Sequence, residues 1–373
     1  MRGRASPAPG PAPDGGPGFA VALIDARDAA VVGGKGASLG ELARAGLAVP
    51  PGFVVTVDAF AAAMAAIDPS GALRAELSAL DAADLTAIAA SAARLRALVT
   101  GAPLPGDVDA AIAVGYANLG TGASAREILI NTDVAVRSSA TVEDSAEASF
   151  AGLQDTYLGV SGLPSVHDHV RRCWASLYND ESVAYRRRLR LPEADVSMAV
   201  VVQRMVAPRA AGVMFTRSPV TGDRSVVAIE ATWGLGSALV SGDVTPDSFI
   251  ISKVTGEITT RRVARKIKIH GYRSNGPGVT VSDTPASLRE APSLTDDEIR
   301  ALTAIGRRVE AHYRTPQDIE WALLDGDGAD AADRVVLLQS RPETVWAARE
   351  QAPAGAPKPR PADHVLALFG KPL

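Results

Sequence analysis

The chain has 373 residues, enough for two or three domains that each bury a core. A formal net charge of −4, with 47% hydrophobic and 21% charged residues, provides no global basic field to attract nucleic acid or anionic lipid. The single cysteine, Cys173, excludes an intramolecular disulfide and a cysteine-rich metal site, and no apolar run is long enough for a membrane span. The expected setting is therefore the cytoplasm, with neither a nucleic-acid nor a membrane partner.

Residues 1–18 carry prolines at alternating positions from Pro7 to Pro13 and no apolar stretch, which predicts a disordered leader and not a signal peptide. Val31 to Pro51 reads as loop, helix and turn, with Leu39, Leu42 and Ala43 on one helical face and Gly46 at the capping position. Phe53 to Val57 supplies a short strand. Residues 58 to 118 are alanine-rich with leucine at helical spacing, interrupted at GAPLPGD near Gly106, and carry no visible chemistry. Val134 to Arg137 begins a strand, and Val166 to Leu189 reads as one long helix that packs Cys173 as a small residue. The arginine clusters Arg171-Arg172 and Arg186 to Arg188 read as solvated helix faces. MAVVVQRMV from Met198 is a buried strand, and AAGVMFTRSP and SVVAIEATWGLG are two more. SGDVTPDSFIISKVTGEI opens a hairpin, Asp296 to Tyr313 is helical, and QDIEWALLDG and VVLLQSRPETV form a final strand pair. QAPAGAPKPRP is an extended proline-rich linker.

Several of these segments carry chemistry. In GGKGAS, Gly33 to Ser38, two glycines let backbone N–H groups approach an anion and Lys35 adds a mobile charge ahead of a helix. The spacing is not that of the common P-loop, and a simple glycine turn with a solvated lysine explains it equally well. Arg137 closes a strand, where its fork could meet two phosphate oxygens or bridge to Glu143 or Asp144. Phe150 to Leu153 is a small-residue turn that either covers phosphates or is a surface loop. Asp318 and Glu320 are two apart, as are Gln339 and Arg341, so paired strands would set hard oxygen donors beside a guanidinium. That pattern fits Mg²⁺ gripping a polyphosphate or a structural cross-strand ion pair, and it fits zinc poorly. His167 and His169 would diverge on a helix, and no Ser-His-Asp or Cys-His arrangement has local motif support.

Taken together, five blocks resemble the N-terminal ATP-binding region of the phosphoenolpyruvate synthase and pyruvate, phosphate dikinase family, which includes rifampin phosphotransferase and the ATP-binding subunit of phenylphosphate synthase. They are GGKGASLGELARAGLAVPPGFVVT, VAVRSSATVEDSAEASFAGLQDTYLGV, VQRMV with AGVMFTRSP, EATWGLGSALVSGDVTPDSF, and QDIEWALLDG with LLQSRPETVW, from about Val31 to Val345. The resemblance implies an α+β, ATP-grasp-like fold of two closing lobes, at residues 19–240 and 241–346, followed by a tail over 347–373. It implies that Lys35 and Arg137 contact the triphosphate, that Gly152 belongs to a phosphate-covering loop, that Gln203 recognises adenine and that Glu230 lies near the ribose. Glu320 and Gln339 would ligate Mg²⁺, with Asp318 an additional ligand, and Arg341 would face the transferred groups. The activity implied is transfer of the β-phosphoryl of ATP to a histidine on a mobile domain, with release of AMP. The residues after Trp346 are too few for such a domain, so a phosphohistidine-bearing domain or subunit is expected in trans. An ADP-forming ATP-grasp ligase and a non-catalytic ATP-binding regulatory subunit are the competing readings.

Overall fold

The computed structural model describes residues 18–120, 133–140, 144–145, 148–149, 155–189, 191–193, 196–273, 278–326, 330–344 and 346. Its strands are β1 (Ala20–Ala22), β2 (Gly52–Val55), β3 (Val134–Ala140), β4 (Asp144–Ser145), β5 (Ala148–Ser149), β6 (Thr156–Val160), β7 (Met198–Arg204) and β8 (Pro208–Phe215). They continue as β9 (Val226–Trp233), β10 (Asp247–Ser252), β11 (Ile258–Arg262), β12 (Lys268–Tyr272), β13 (Val279–Asp283), β14 (Gln317–Leu324) and β15 (Val335–Pro342). The architecture is mixed α+β, built on a five-stranded sheet, β1-β2-β7-β3-β6, and a six-stranded sheet, β11-β10-β9-β8-β14-β15. All pairings within both are antiparallel.

The first sheet is covered on both faces, which is why β7 is apolar without alternation from Met198 to Val202. Val200 and Val202 join Phe60, Leu95, Val170 and Trp174 in the core beneath the helices. Their neighbours Ala199 and Val201 turn the other way, to Leu23, Val32 and Leu39. The alanine-rich stretch forms helices Val57–Ile67, Ala72–Ala79, Leu85–Gly101 and Gly106–Leu119, with the expected interruption before Gly106. Among the described residues no single helix is long and apolar enough to cross a membrane.

Three local expectations need correction. Val166 to Leu189 is not one helix but two, Leu163–Ser176 and Asp180–Leu189. Leu177, Tyr178 and Asn179 close tight turns onto the carbonyls three residues back, and Arg96 braces the break by donating to the Tyr178 carbonyl and the Asp180 carboxylate. Arg186 is not solvated: it is 2% exposed and forks onto the equally buried Glu193 at 2.7 and 3.2 Å. The segment before Ser38 is not a free loop but part of a helix, Ala29–Arg44, broken at Gly33.

The second sheet is covered on one face by the helix Asp296–Tyr313, which packs Leu302, Ile305 and Val309 against Ile229, Phe249, Ile319 and Trp321. β8 and β9, which the sequence places ahead of a boundary at residue 240, pair into this sheet, so sheet membership changes between Arg204 and Pro208. The helix start is fixed by a capping box: Glu298 N–H donates to Thr295 Oγ1 at 3.4 Å, and Thr295 N–H donates to Glu298 Oε2 at 2.9 Å. Glu298 also accepts from Arg209 of β8 at 2.7 Å and from Arg334 at 2.9 Å, tying the helix to a central strand and to the turn before β15.

Burial alone would raise the Glu298 pKa, but the Thr295 N–H and the two guanidinium groups outweigh it and hold the carboxyl below its usual 4.5. A depressed carboxylate pKa contributes stability that is present above the unfolded value and lost as pH falls through the folded one. Glu298→Ala should therefore cost roughly 2–4 kcal/mol at pH 7 and distinctly less near pH 4, as read from urea melts at the two pH values.

Candidate functional site

Gly33 sets the first part of the site. Its φ of +69° breaks the Ala29–Arg44 helix, and a Cβ there would stand 2.0 Å from the Ser139 carbonyl oxygen. The close approach lets Ser139 Oγ accept from Gly36 N–H at 3.0 Å and donate to the Val32 carbonyl at 2.9 Å. Lys35, 8% exposed, donates from Nζ to the Ser138 carbonyl at 2.6 Å, so this lysine is buried at β3 and not solvated. On β3, Arg137 and Ser139 pair with Val201 and Ala199 and share the face that this helix covers. Gln203, on the same face of β7, donates its amide to the Pro50 carbonyl at 3.1 Å.

The open face of the second sheet supplies the rest. Glu230, Val213, Glu320 and Gln339 are successive cross-strand partners over β9, β8, β14 and β15, and so lie in one row on one face. One step along, Asp318 pairs with Arg341, with Arg341 Nε 3.5 Å from Asp318 Oδ2. The two-residue spacing in each strand thus sets the expected carboxylates and their partners side by side. The register slips between Glu320 and Trp321, where Leu337 and not Leu338 is the next partner. This bulge leaves the Leu338 carbonyl turned toward the first sheet.

Arg137 joins the two halves. Its Nη1 donates to the Leu338 carbonyl at 2.6 Å, and its Nη2 donates to Glu320 Oε2 and Gln339 Oε1, both at 2.8 Å. The two acceptors therefore converge on one cationic nitrogen. Nearby, Ser38 Oγ donates to the Ser340 carbonyl at 2.6 Å and Leu337 N–H to the Ala48 carbonyl at 2.8 Å, stitching the glycine-broken helix to β15. A cavity of about 380 Å³ opens between the sheets, lined by Arg137 and Gln203 on one side, Val213, Glu320 and Leu338 on the other, and Leu235 to Ser241 along its wall. A larger hollow of about 750 Å³ beside β1 has no ionisable lining and lies apart from this chemistry.

The fold thus brings Arg137, Gln203, Glu320 and Gln339 to the cavity or its edge, with Lys35, Asp318 and Arg341 on adjoining residues of the same strands or the packed helix. Glu230 stands at the far end of the row, and burial raises its carboxyl pKa. Gly152 lies outside the described residues, as does Glu143. Among the described residues no cluster of three or more His, Cys, Asp or Glu could hold a metal ion.

Two groupings have no local signal in the sequence. Arg217, 4% exposed in FTRSP, donates from Nε to the Gly222 carbonyl at 2.7 Å and stands 3.7 Å from the buried Glu343 carboxylate. Ser237 Oγ shares a hydrogen bond of 3.0 Å with His270 Nδ1, while Asp243 Oδ2 lies 3.1 Å from His270 Nε2. Serine, histidine and aspartate therefore do meet, from positions too far apart for a motif to reveal.

Burial pushes the Asp318 carboxyl up to about 6; Arg341 lowers it and Glu343 raises it, and Oδ1 has no hydrogen-bond partner. Because the folded value lies above the ordinary 3.8, this group favours the fold below the unfolded pKa and loses that contribution as pH rises through about 6. Asp318→Asn, neutral and nearly isosteric, should stabilise the nucleotide-free chain at pH 8 by about 1–2 kcal/mol and change little at pH 4. Denaturant melts at both pH values check this.

Comparison with known proteins matches residues 29–360 to the family model of the pyruvate phosphate dikinase AMP/ATP-binding domain. A rifampicin phosphotransferase from Streptomyces sp is 47% identical over 325 residues, covering 86% of this chain and 35% of that protein. A probable phosphoenolpyruvate synthase from Methanothermobacter thermautotrophicus is 42% identical over 317 residues, covering 85% of this chain and 44% of that protein. A rifampicin phosphotransferase from Bacillus subtilis is 38% identical, over 86% of this chain and 35% of its own length. The chain thus spans less than half the length of these relatives, and over most of its own length it belongs to the pyruvate phosphate dikinase AMP/ATP-binding domain family.

Proposed function

We propose that this chain binds ATP with Mg²⁺ between two ATP-grasp-like lobes and delivers the β-phosphoryl group to a histidine on another domain or subunit, releasing AMP. The lobes in this reading are the two sheets with their helices, joined at residues 205–207, and they act in the cytoplasm. The observation that carries it is the convergence of Arg137, Glu320 and Gln339 at the mouth of the cavity that Gln203 also lines. A set of charges gathered from both sheets at an apolar slot suits a ligand with a flat base at one end and several anionic oxygens at the other.

In this reading Gln203 and the Leu235 to Ser241 wall take the base, with Glu230 toward the ribose. Lys35 and Arg137 reach the phosphates, Gly152 belongs to the loop over them, and Arg341 faces the group in transfer. The donors suit magnesium: Glu320 and Gln339 supply hard oxygens that already share one cation, Asp318 is two residues away, and phosphates and water would complete the shell. Bound there, the ion would neutralise charge on the phosphoryl oxygens. The chain's own residues position the triphosphate and offset charge as the bond to AMP breaks; none of them is a covalent nucleophile. The γ-phosphoryl leaves to water or to phosphate.

The test is incubation with Mg²⁺ and ATP labelled at the β-phosphorus, with and without a histidine-bearing partner of this family. Label should appear on the partner histidine together with AMP, and it should vanish when that histidine is replaced by alanine. ADP as the sole product would overturn this in favour of a ligase. Nucleotide binding with no turnover under any partner would favour a regulatory subunit.

A further inference from the structure

We infer that His270 is a positioning residue for the nucleoside half of the ligand, acting through the cavity wall without lining the cavity itself. The inference rests on the proposed nucleotide reading of the 380 Å³ cavity. That wall is the segment from Leu235 to Ser241, which contains only one short helix, Ser237–Val240, and whose Val240 is 75% exposed. A stretch this short does not hold its own shape in water, so its conformation must be imposed from outside.

His270 imposes it at three points. Its carbonyl accepts from Leu235 N–H at 2.8 Å, its Nδ1 bonds Ser237 Oγ at 3.0 Å, and its Nε2 stands 3.1 Å from Asp243 Oδ2. Asp243 in turn accepts from Ser241 Oγ at 2.7 Å, so Ser237 is hydrogen-bonded to the imidazole and Ser241, one helical turn on, reaches it through a carboxylate that lies beside Nε2 without hydrogen-bonding it. The chain enters this clamp through Gly234, whose φ is +70° and where a Cβ would stand 2.3 Å from the His270 carbonyl oxygen. No substituted residue fits so close to β12, so the approach is built into the backbone.

The geometry is not that of a hydrolase. The serine hydroxyl is engaged by the nitrogen nearer the main chain, and Asp243 is about half exposed, so the array orients a wall and activates no nucleophile. His270 itself is 6% exposed and does not line the cavity. Losing it should release the side that meets base and ribose while leaving Lys35, Arg137 and Glu320 where they are.

Calorimetry with ATP, adenosine and inorganic tripolyphosphate on the whole chain separates these ends. His270→Ala should weaken adenosine and ATP alike by about tenfold and leave tripolyphosphate unchanged, with His270→Asn, whose amide can still bond Ser237, recovering most of the loss. Asp243→Asn, at a half-exposed position, should give a smaller loss with the same pattern. Unchanged adenosine affinity in the folded variants, or a parallel loss of tripolyphosphate, would overturn the inference. Wild-type chain that binds neither adenosine nor ATP would instead overturn the nucleotide reading on which it rests.

Discussion

Among the described residues, Arg137 is the side chain that joins the two sheets at the site, bonding Glu320, Gln339 and the Leu338 carbonyl. Its guanidinium leaves the first sheet, crosses to the second, and satisfies a bulged carbonyl, a carboxylate and an amide oxygen at once. Without it, Glu320 and Gln339 would face each other across the row with no shared cation, and the Leu338 carbonyl would point into the junction unpaired. A planar fork with several donors at fixed angles suits a set of three acceptors better than the single ammonium of a lysine. Together with the Ser38–Ser340 and Leu337–Ala48 bonds, this contact holds the two sheets beside the cavity that both line.

The unequal covering of the second sheet follows from the same arrangement. One face carries Ile229, Phe249, Ile319 and Trp321 under the long helix Asp296–Tyr313; the other carries Glu230, Asp318, Glu320 and Arg341 and opens on the cavity. Charges placed on a sheet face that opens on a cavity keep access to water or to ligand. Asp318 shows the limit of that freedom, with a raised pKa and an oxygen that nothing bonds. Such a group costs stability in the free chain and is tolerated where a ligand's cation can reach it.

Much of this was legible from spacing alone. Alternation with period two gave the shared face of Asp318 and Glu320, and antiparallel pairing with the next apolar run set Gln339 and Arg341 opposite them. The helical character of the alanine-rich stretch, its interruption near Gly106 and the helix from Asp296 to Tyr313 were equally plain, whereas the division of that stretch into four helices was not. What stayed hidden depended on long-range contact. Arg137 finds Glu320 across 183 residues, where the sequence offered Glu143 or Asp144 nearby. Arg186 looked solvated among its basic neighbours until folding brought Glu193 against it. Gly33 reads as a loop residue, yet helix lies on both sides of it and it forms the kink between them, because what the glycine supplies is room for Ser139. Ser237, Asp243 and His270 are joined by a small separate hairpin, β12 and β13, and no periodicity announces it.

The account stands on the claim that Arg137 and Lys35 serve the phosphates while the opposite end of the cavity serves the base. The direct measurement is the affinity of Arg137→Ala for ATP and for adenosine, with Mg²⁺ present. Loss of a charged hydrogen bond of roughly 1.5–3 kcal/mol should weaken ATP about tenfold to a hundredfold. Adenosine should bind as it does to the unchanged chain. Equal weakening of both ligands would contradict the division of the site, and unchanged affinity for ATP would remove Arg137 from it.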